Sequence, residues 1–112
     1  HSLDGYDEIS LTGDTKIINN HGERVMSAVA LGKRSVSAAD IYGGNTTEEA
    51  AKIFVRIIKG EGTWAQNAVV IANAAMGLMC TGKYPDYETC YQLALESLES
   101  GRAYKVLQTL VK

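Results

Sequence analysis

Three carboxylates fall within five residues in Asp4-Gly5-Tyr6-Asp7-Glu8, and these side chains are the ones best suited to hold a cation. Like charges gathered on a glycine turn are costly unless something positive sits against them. Carboxylate oxygens are hard donors that match Mg²⁺, an ion that takes one or two protein carboxylates and completes its octahedron with water and substrate phosphate. Neighbouring side chains on extended backbone point to opposite faces, so Asp7 and Glu8 could serve two ions, or one ion directly and through water. A solvated acidic turn has the same pattern, and on the residues alone both readings stay open.

The other chemistry-bearing residues have simpler explanations. Gly43-Gly44-Asn45-Thr46 could cradle an anion at a helix start, but it lacks the Walker spacing and does not follow a strand. The threonine is accounted for by helix capping. His1 and His21 have no visible partners, and His21 reads as an exposed turn residue. Tyr84, Tyr87, Tyr91 and Tyr104 recur near helical spacing, which suits packing better than base stacking. Cys80 and Cys90 lie in helix-patterned sequence and read as two reduced core thiols; a disulfide scaffold would need more cysteines. No His/Cys spacing suits zinc.

The elements that must position the acidic loop begin at once. Glu8-Ile-Ser-Leu-Thr12 alternates with period two and predicts a strand, Lys16–Asn20 predicts a second, and Asn20-His21-Gly22-Glu23 predicts a hairpin turn returning through Arg24–Ala30. Strands and the candidate metal loop thus fill residues 1–31, as a three-stranded ribbon with an uncovered edge. Residues 37–112 predict helices. Ser37-x-x-Asp40 starts a short turn; Thr46-x-x-Glu49 and Thr63-x-x-Gln66 are capping boxes. Ala50, Ile53, Phe54, Ile57 and Ile58 recur as one apolar face.

Trp64–Thr81 is apolar almost all round and should be central, with Ala65, Ala68, Ala72 and Ala75 as a small-residue stripe. Asp86 caps the next helix, which should bury Tyr87, Cys90 or Tyr91, Ala94 and Leu98; a last helix puts Tyr104, Leu107, Leu110 and Val111 on one side. Strands first and helices after make the class α+β.

Size and charge set the bounds. A chain of 112 residues, 46% hydrophobic and 21% charged, suits one soluble globular unit. Its net charge of −2, with dispersed lysines and arginines, supplies no general attraction to nucleic acid or to anionic membrane. The low-charge stretch Ala65–Thr81 contains Gln66, Asn67 and Asn73 and reads as a buried helix rather than a membrane span.

His1-Ser-Leu-Asp-Gly-Tyr-Asp-Glu-Ile-Ser-Leu-Thr-Gly-Asp-Thr-Lys16 resembles the anthranilate phosphoribosyltransferases, which carry a closely similar stretch after a core strand. The resemblance continues through Gly43-Gly44-Asn45-Thr46-x-Glu48-Glu49-Ala50, through Ala68–Ala75 and to Ser100-Gly-Arg-Ala103, covering nearly the whole chain. It implies the C-terminal part of an α/β domain of the nucleoside phosphorylase/phosphoribosyltransferase type. The implied reaction transfers the phosphoribosyl group of phosphoribosyl pyrophosphate to anthranilate in tryptophan biosynthesis.

By that resemblance Asp7 and Glu8 match the family's metal-binding pair and would contact Mg²⁺, with Asp4 supporting the loop. It also implies a cytoplasmic, homodimeric parent. The family's glycine-rich pyrophosphate loop, Lys-His-Gly-Asn segment, anthranilate-contacting arginine and small N-terminal helical domain do not occur here, so a piece of a longer enzyme, inactive alone, is expected. Two rivals remain: a piece of a pyrimidine nucleoside phosphorylase-like enzyme, and a non-catalytic helical interaction module.

Overall fold

The computed structural model describes the whole chain, His1–Lys112, and divides it into two compact units, His1–Tyr42 and Gly43–Lys112. In the first, β1 (Thr15–Asn19) and β2 (Gly22–Met26) pair antiparallel, Thr15 opposite Met26 and Asn19 opposite Gly22. Asn20-His21 is the connecting turn, tightened where the Asn19 side-chain oxygen accepts from the His21 N–H at 2.9 Å. Lys16 and Glu23 add a 2.8 Å ion pair across the hairpin.

Three expectations for this unit are corrected. Glu8–Thr12 is not a strand: Leu11 has φ 61°, a left-handed conformation that breaks the extended run, and the Ser10 and Thr12 N–H groups bond to serine hydroxyls instead of a ladder. The segment beside β1 is the chain's first three residues, through the Ser2–Thr15 bridge, His1 and Lys16 exchanging backbone bonds, and Leu3 N–H donating to the Asp14 carbonyl. The sheet itself therefore has two strands rather than three. The returning strand stops at Met26, because Ser27 accepts from the Ala30 N–H at 3.1 Å and caps a short helix, α1 (Ala28–Gly32). Ile9, Leu11, Ala28 and Leu31 form the apolar interior.

A 3-10 turn, Ala38–Ile41, follows where Ser37-x-x-Asp40 predicts one, the Asp40 carboxylate accepting from the Ser37 N–H. The second unit holds α2 (Thr47–Ile58), α3 (Trp64–Cys80), α4 (Tyr87–Glu99) and α5 (Arg102–Leu110); the first three start at side-chain caps, and α5 follows Gly101 with none. The Thr46, Thr63 and Asp86 side chains accept from the N–H groups of Glu49, Gln66 and Thr89. Ala65, Ala68, Ala72 and Ala75 are all buried, and Ile71 and Ala75 meet Cys90, Tyr91, Ala94 and Leu98 of α4 in the core.

Gly60 ends α2 at φ 79°, where a Cβ would stand 3.2 Å from the Leu98 carbonyl oxygen; glycine satisfies both constraints. The α2 face departs from expectation. None of Ala50, Ile53, Phe54, Ile57 and Ile58 is buried, and Phe54 is 53% exposed, because few side chains of these 112 residues cover that face. Leu110 and Val111 are similarly open at the end of α5. Cys80 is exposed, so Cys90 is the one core thiol. No helix is long and apolar enough to cross a membrane. The strand-then-helix order expected for an α+β chain is borne out.

Candidate metal centre

The acidic loop is shaped from beneath by buried hydroxyls. Ser2 and Ser10 are 1% and 3% exposed, unusual depths for hydroxyl side chains in so small a unit; Thr15 is as deep, but its hydroxyl bonds to nothing. Ser2 Oγ donates to the Glu8 carbonyl at 2.7 Å and accepts from the Ser10 N–H at 3.2 Å. Ser2 Oγ and Ser10 Oγ are 2.9 Å apart, Ser10 Oγ and Thr12 Oγ1 2.7 Å, and the Thr12 hydroxyl donates to the Asp4 carboxylate.

Proton counting constrains this row. Each hydroxyl has one proton; those of Ser2 and Thr12 go to the Glu8 carbonyl and to Asp4. The single Ser10 proton can therefore serve Ser2 or Thr12, but not both at once.

Asp4, though exposed, is thereby tied to Thr12, and the three clustered carboxylates of the sequence separate into roles. Asp7 and Glu8 remain exposed, and the hydrogen bond that holds Glu8 uses its backbone carbonyl rather than its carboxylate. No three His, Cys, Asp or Glu side chains converge on one point, so the chain offers an open carboxylate pair rather than a closed cage. That donor set fits Mg²⁺: two hard oxygen ligands leave most of the octahedron to water and phosphate. Zinc would want a fuller set with nitrogen or sulfur.

Sequence reasoning missed Ser2, Ser10 and Thr12. Ser10 and Thr12 were legible only as the polar face of a supposed strand, and Ser2 carried no motif of its own. A possible signal was the return of hydroxyl residues at alternate positions, Ser10 and Thr12, shortly after an Asp-Gly turn.

The remaining candidates carry no site. At Gly43-Gly44-Asn45-Thr46 the Glu49 carboxylate accepts from the Asn45 N–H at 2.7 Å, so an anion already stands at the α2 N-terminus. His21 is exposed in its turn. Tyr87 packs against Tyr91 with ring centroids 6.1 Å apart, and burial, with the Tyr91 ring next, pushes its hydroxyl well above the ordinary tyrosine range. That is a packing role.

Residues 1–104 match the glycosyl transferase family, a/b domain. Among curated proteins the chain is 53% identical over 110 residues to an anthranilate phosphoribosyltransferase of Flavobacterium johnsoniae, covering 98% of this chain and 33% of that protein. It is 46% identical over 112 residues to the Christiangramia forsetii protein of the same name, and 43% to that of Cytophaga hutchinsonii, covering 100% of this chain and 34% of each. The chain thus spans about a third of the length of the curated relatives it matches.

Proposed function

The chain belongs to the glycosyl transferase family through its a/b domain, and from that membership we propose that it is a segment of an anthranilate phosphoribosyltransferase. In that enzyme the anthranilate nitrogen forms a bond to C1 of phosphoribosyl pyrophosphate as the C1–oxygen bond to pyrophosphate breaks, a step of tryptophan synthesis. The observation that carries the reading is the open Asp7–Glu8 pair, presented from a loop whose backbone is tied down by buried hydroxyls. The names of the relatives support the choice of substrates.

Asp7 and Glu8 would hold Mg²⁺ on the side of the leaving pyrophosphate. Bound there, the ion offsets the negative charge that develops on the departing oxygens. Asp4 does different work: by accepting from Thr12 it closes the loop. Binding of anthranilate and of the ribose phosphate is assigned to the parts of a relative-length protein outside these 112 residues, and the parent is taken as a cytoplasmic homodimer.

The test is substitution in a protein of the relatives' length that contains this segment. Asp7→Asn and Glu8→Gln keep the shape and remove the charge. Each should lower kcat/KM on the order of a hundredfold. Rates unchanged in both variants at limiting Mg²⁺ would remove the pair from the reaction.

A further inference from the structure

We infer that Ser2 is the positioning residue of the Asp7–Glu8 pair, holding the backbone on both sides of it. The inference rests on the metal-binding reading of that pair. Ser2 N–H donates to the Tyr6 carbonyl at 3.0 Å, just before Asp7, and Ser2 Oγ donates to the Glu8 carbonyl at 2.7 Å, just after it. The same oxygen accepts from the Ser10 N–H at 3.2 Å, so one side chain spans Glu8 to Ser10 with Ile9 buried between them.

Ser2 is itself anchored. Its neighbours bond to β1 and its approach through His1 and Lys16 and through Leu3 and Asp14, and Ser2 bridges to Thr15. The path of position therefore runs from the hairpin through Ser2 to the carboxylates. Ser10 and Thr12 are different: their hydroxyls lead toward Asp4 and touch neither carbonyl that brackets the pair. Removing an outer partner of a metal ligand typically weakens metal binding about 10- to 100-fold. Ser2 should behave as such a partner and Ser10 should not.

The experiment is an NMR titration of this 112-residue chain with Mn²⁺ alone, read as paramagnetic broadening of backbone amides, with the exposed Glu61 and Glu99 as the internal references for unspecific carboxylate binding. In the unsubstituted chain Asp7 and Glu8 should broaden at lower Mn²⁺ than Glu61 and Glu99. Ser2→Ala should raise the Mn²⁺ needed at Asp7 and Glu8 by about tenfold or more, while Ser10→Ala leaves it within about twofold. The hairpin amides report that each variant is folded.

If the unsubstituted chain shows no preference for Asp7 and Glu8, the metal reading falls and this inference with it. If the preference is present and survives Ser2→Ala, the inference alone is wrong. Equal losses in both variants would also overturn it, since the hydroxyl row would then act as a whole. Should Ser2→Ala not fold, the unsubstituted chain still decides: a Ser10 amide that exchanges at the unprotected rate contradicts the bridge.

Discussion

Leu11 shows how one residue can settle the course of a loop. Its φ of 61° costs an ordinary side chain about 1–2 kcal/mol, yet it is fully buried, and its carbonyl accepts from the Val36 N–H at 2.8 Å. Packing against Gly32 offsets that strain: a Cβ there would collide with both Leu11 methyl carbons and its Cγ. Gly32→Ala should therefore lower stability by about 1–3 kcal/mol, seen in urea unfolding of the chain. An unchanged midpoint would mean that Leu11 can move aside at no cost. The thiols give a second prediction at this scale. Burial, then the Asp86 carboxylate, pushes the Cys90 thiol up, whereas Cys80 is exposed. Ellman's reagent should titrate Cys80 in the folded chain and Cys90 only on unfolding; fast reaction of both would contradict the α3–α4 packing. The sequence makes both cysteines helical but cannot tell which faces a neighbour. Likewise Asp7 and Glu8 are legible as an acidic pair, while Ser2 and Leu11 act through a loop closure that period-two alternation conceals.

Helix ends were the most legible elements because capping is local chemistry. Thr46, Thr63 and Asp86 each cap where the sequence predicts, three residues ahead of the N–H they accept from. Asp86 makes that capping pH-dependent. The Thr89 hydroxyl and N–H hold its carboxyl below the ordinary 3.8. A folded value lower than the unfolded one means stabilisation that is present above about pH 4 and fades as pH falls through the folded pKa. Asp86→Asn, still a competent cap, should reduce stability relative to the unsubstituted chain at neutral pH, and that difference should shrink as pH falls below about 4. Helical circular dichroism against temperature, from pH 7 to 2, checks it; a difference constant over that range would refute the assignment. The apolar face of α2 was equally legible, but not its exposure. Helical periodicity says which side seeks a partner and is silent on whether the partner lies within these residues.

Across the chain, the two units differ in the size of their interiors. Gly43–Lys112 rests on the α3–α4 contact of Ile71, Ala75, Cys90, Tyr91, Ala94 and Leu98, whereas His1–Tyr42 has chiefly Ile9, Leu11, Ala28 and Leu31. Small interiors open more readily. Hydrogen exchange should accordingly be slowest in the middle of α3 and α4 and faster in β1 and β2; the reverse order would place the stable core in the wrong unit. The broad strand-then-helix order was readable because periodicity changes from two to 3.6 along the chain. The bridge from Ser2 to Thr15 beside β1 was not, because His1–Leu3 is too short to show a period.

Asp7 and Glu8 are proposed as the metal corner of a phosphoribosyl-transferring enzyme, and the binding of both substrates is assigned to residues outside these 112. The most direct measurement is anthranilate fluorescence in the presence of the 112-residue chain, phosphoribosyl pyrophosphate and Mg²⁺, beside a relative-length protein containing the same segment. The account predicts constant fluorescence with the chain alone, and consumption by the longer protein that Asp7→Asn or Glu8→Gln suppresses. Turnover by the 112 residues alone would contradict it.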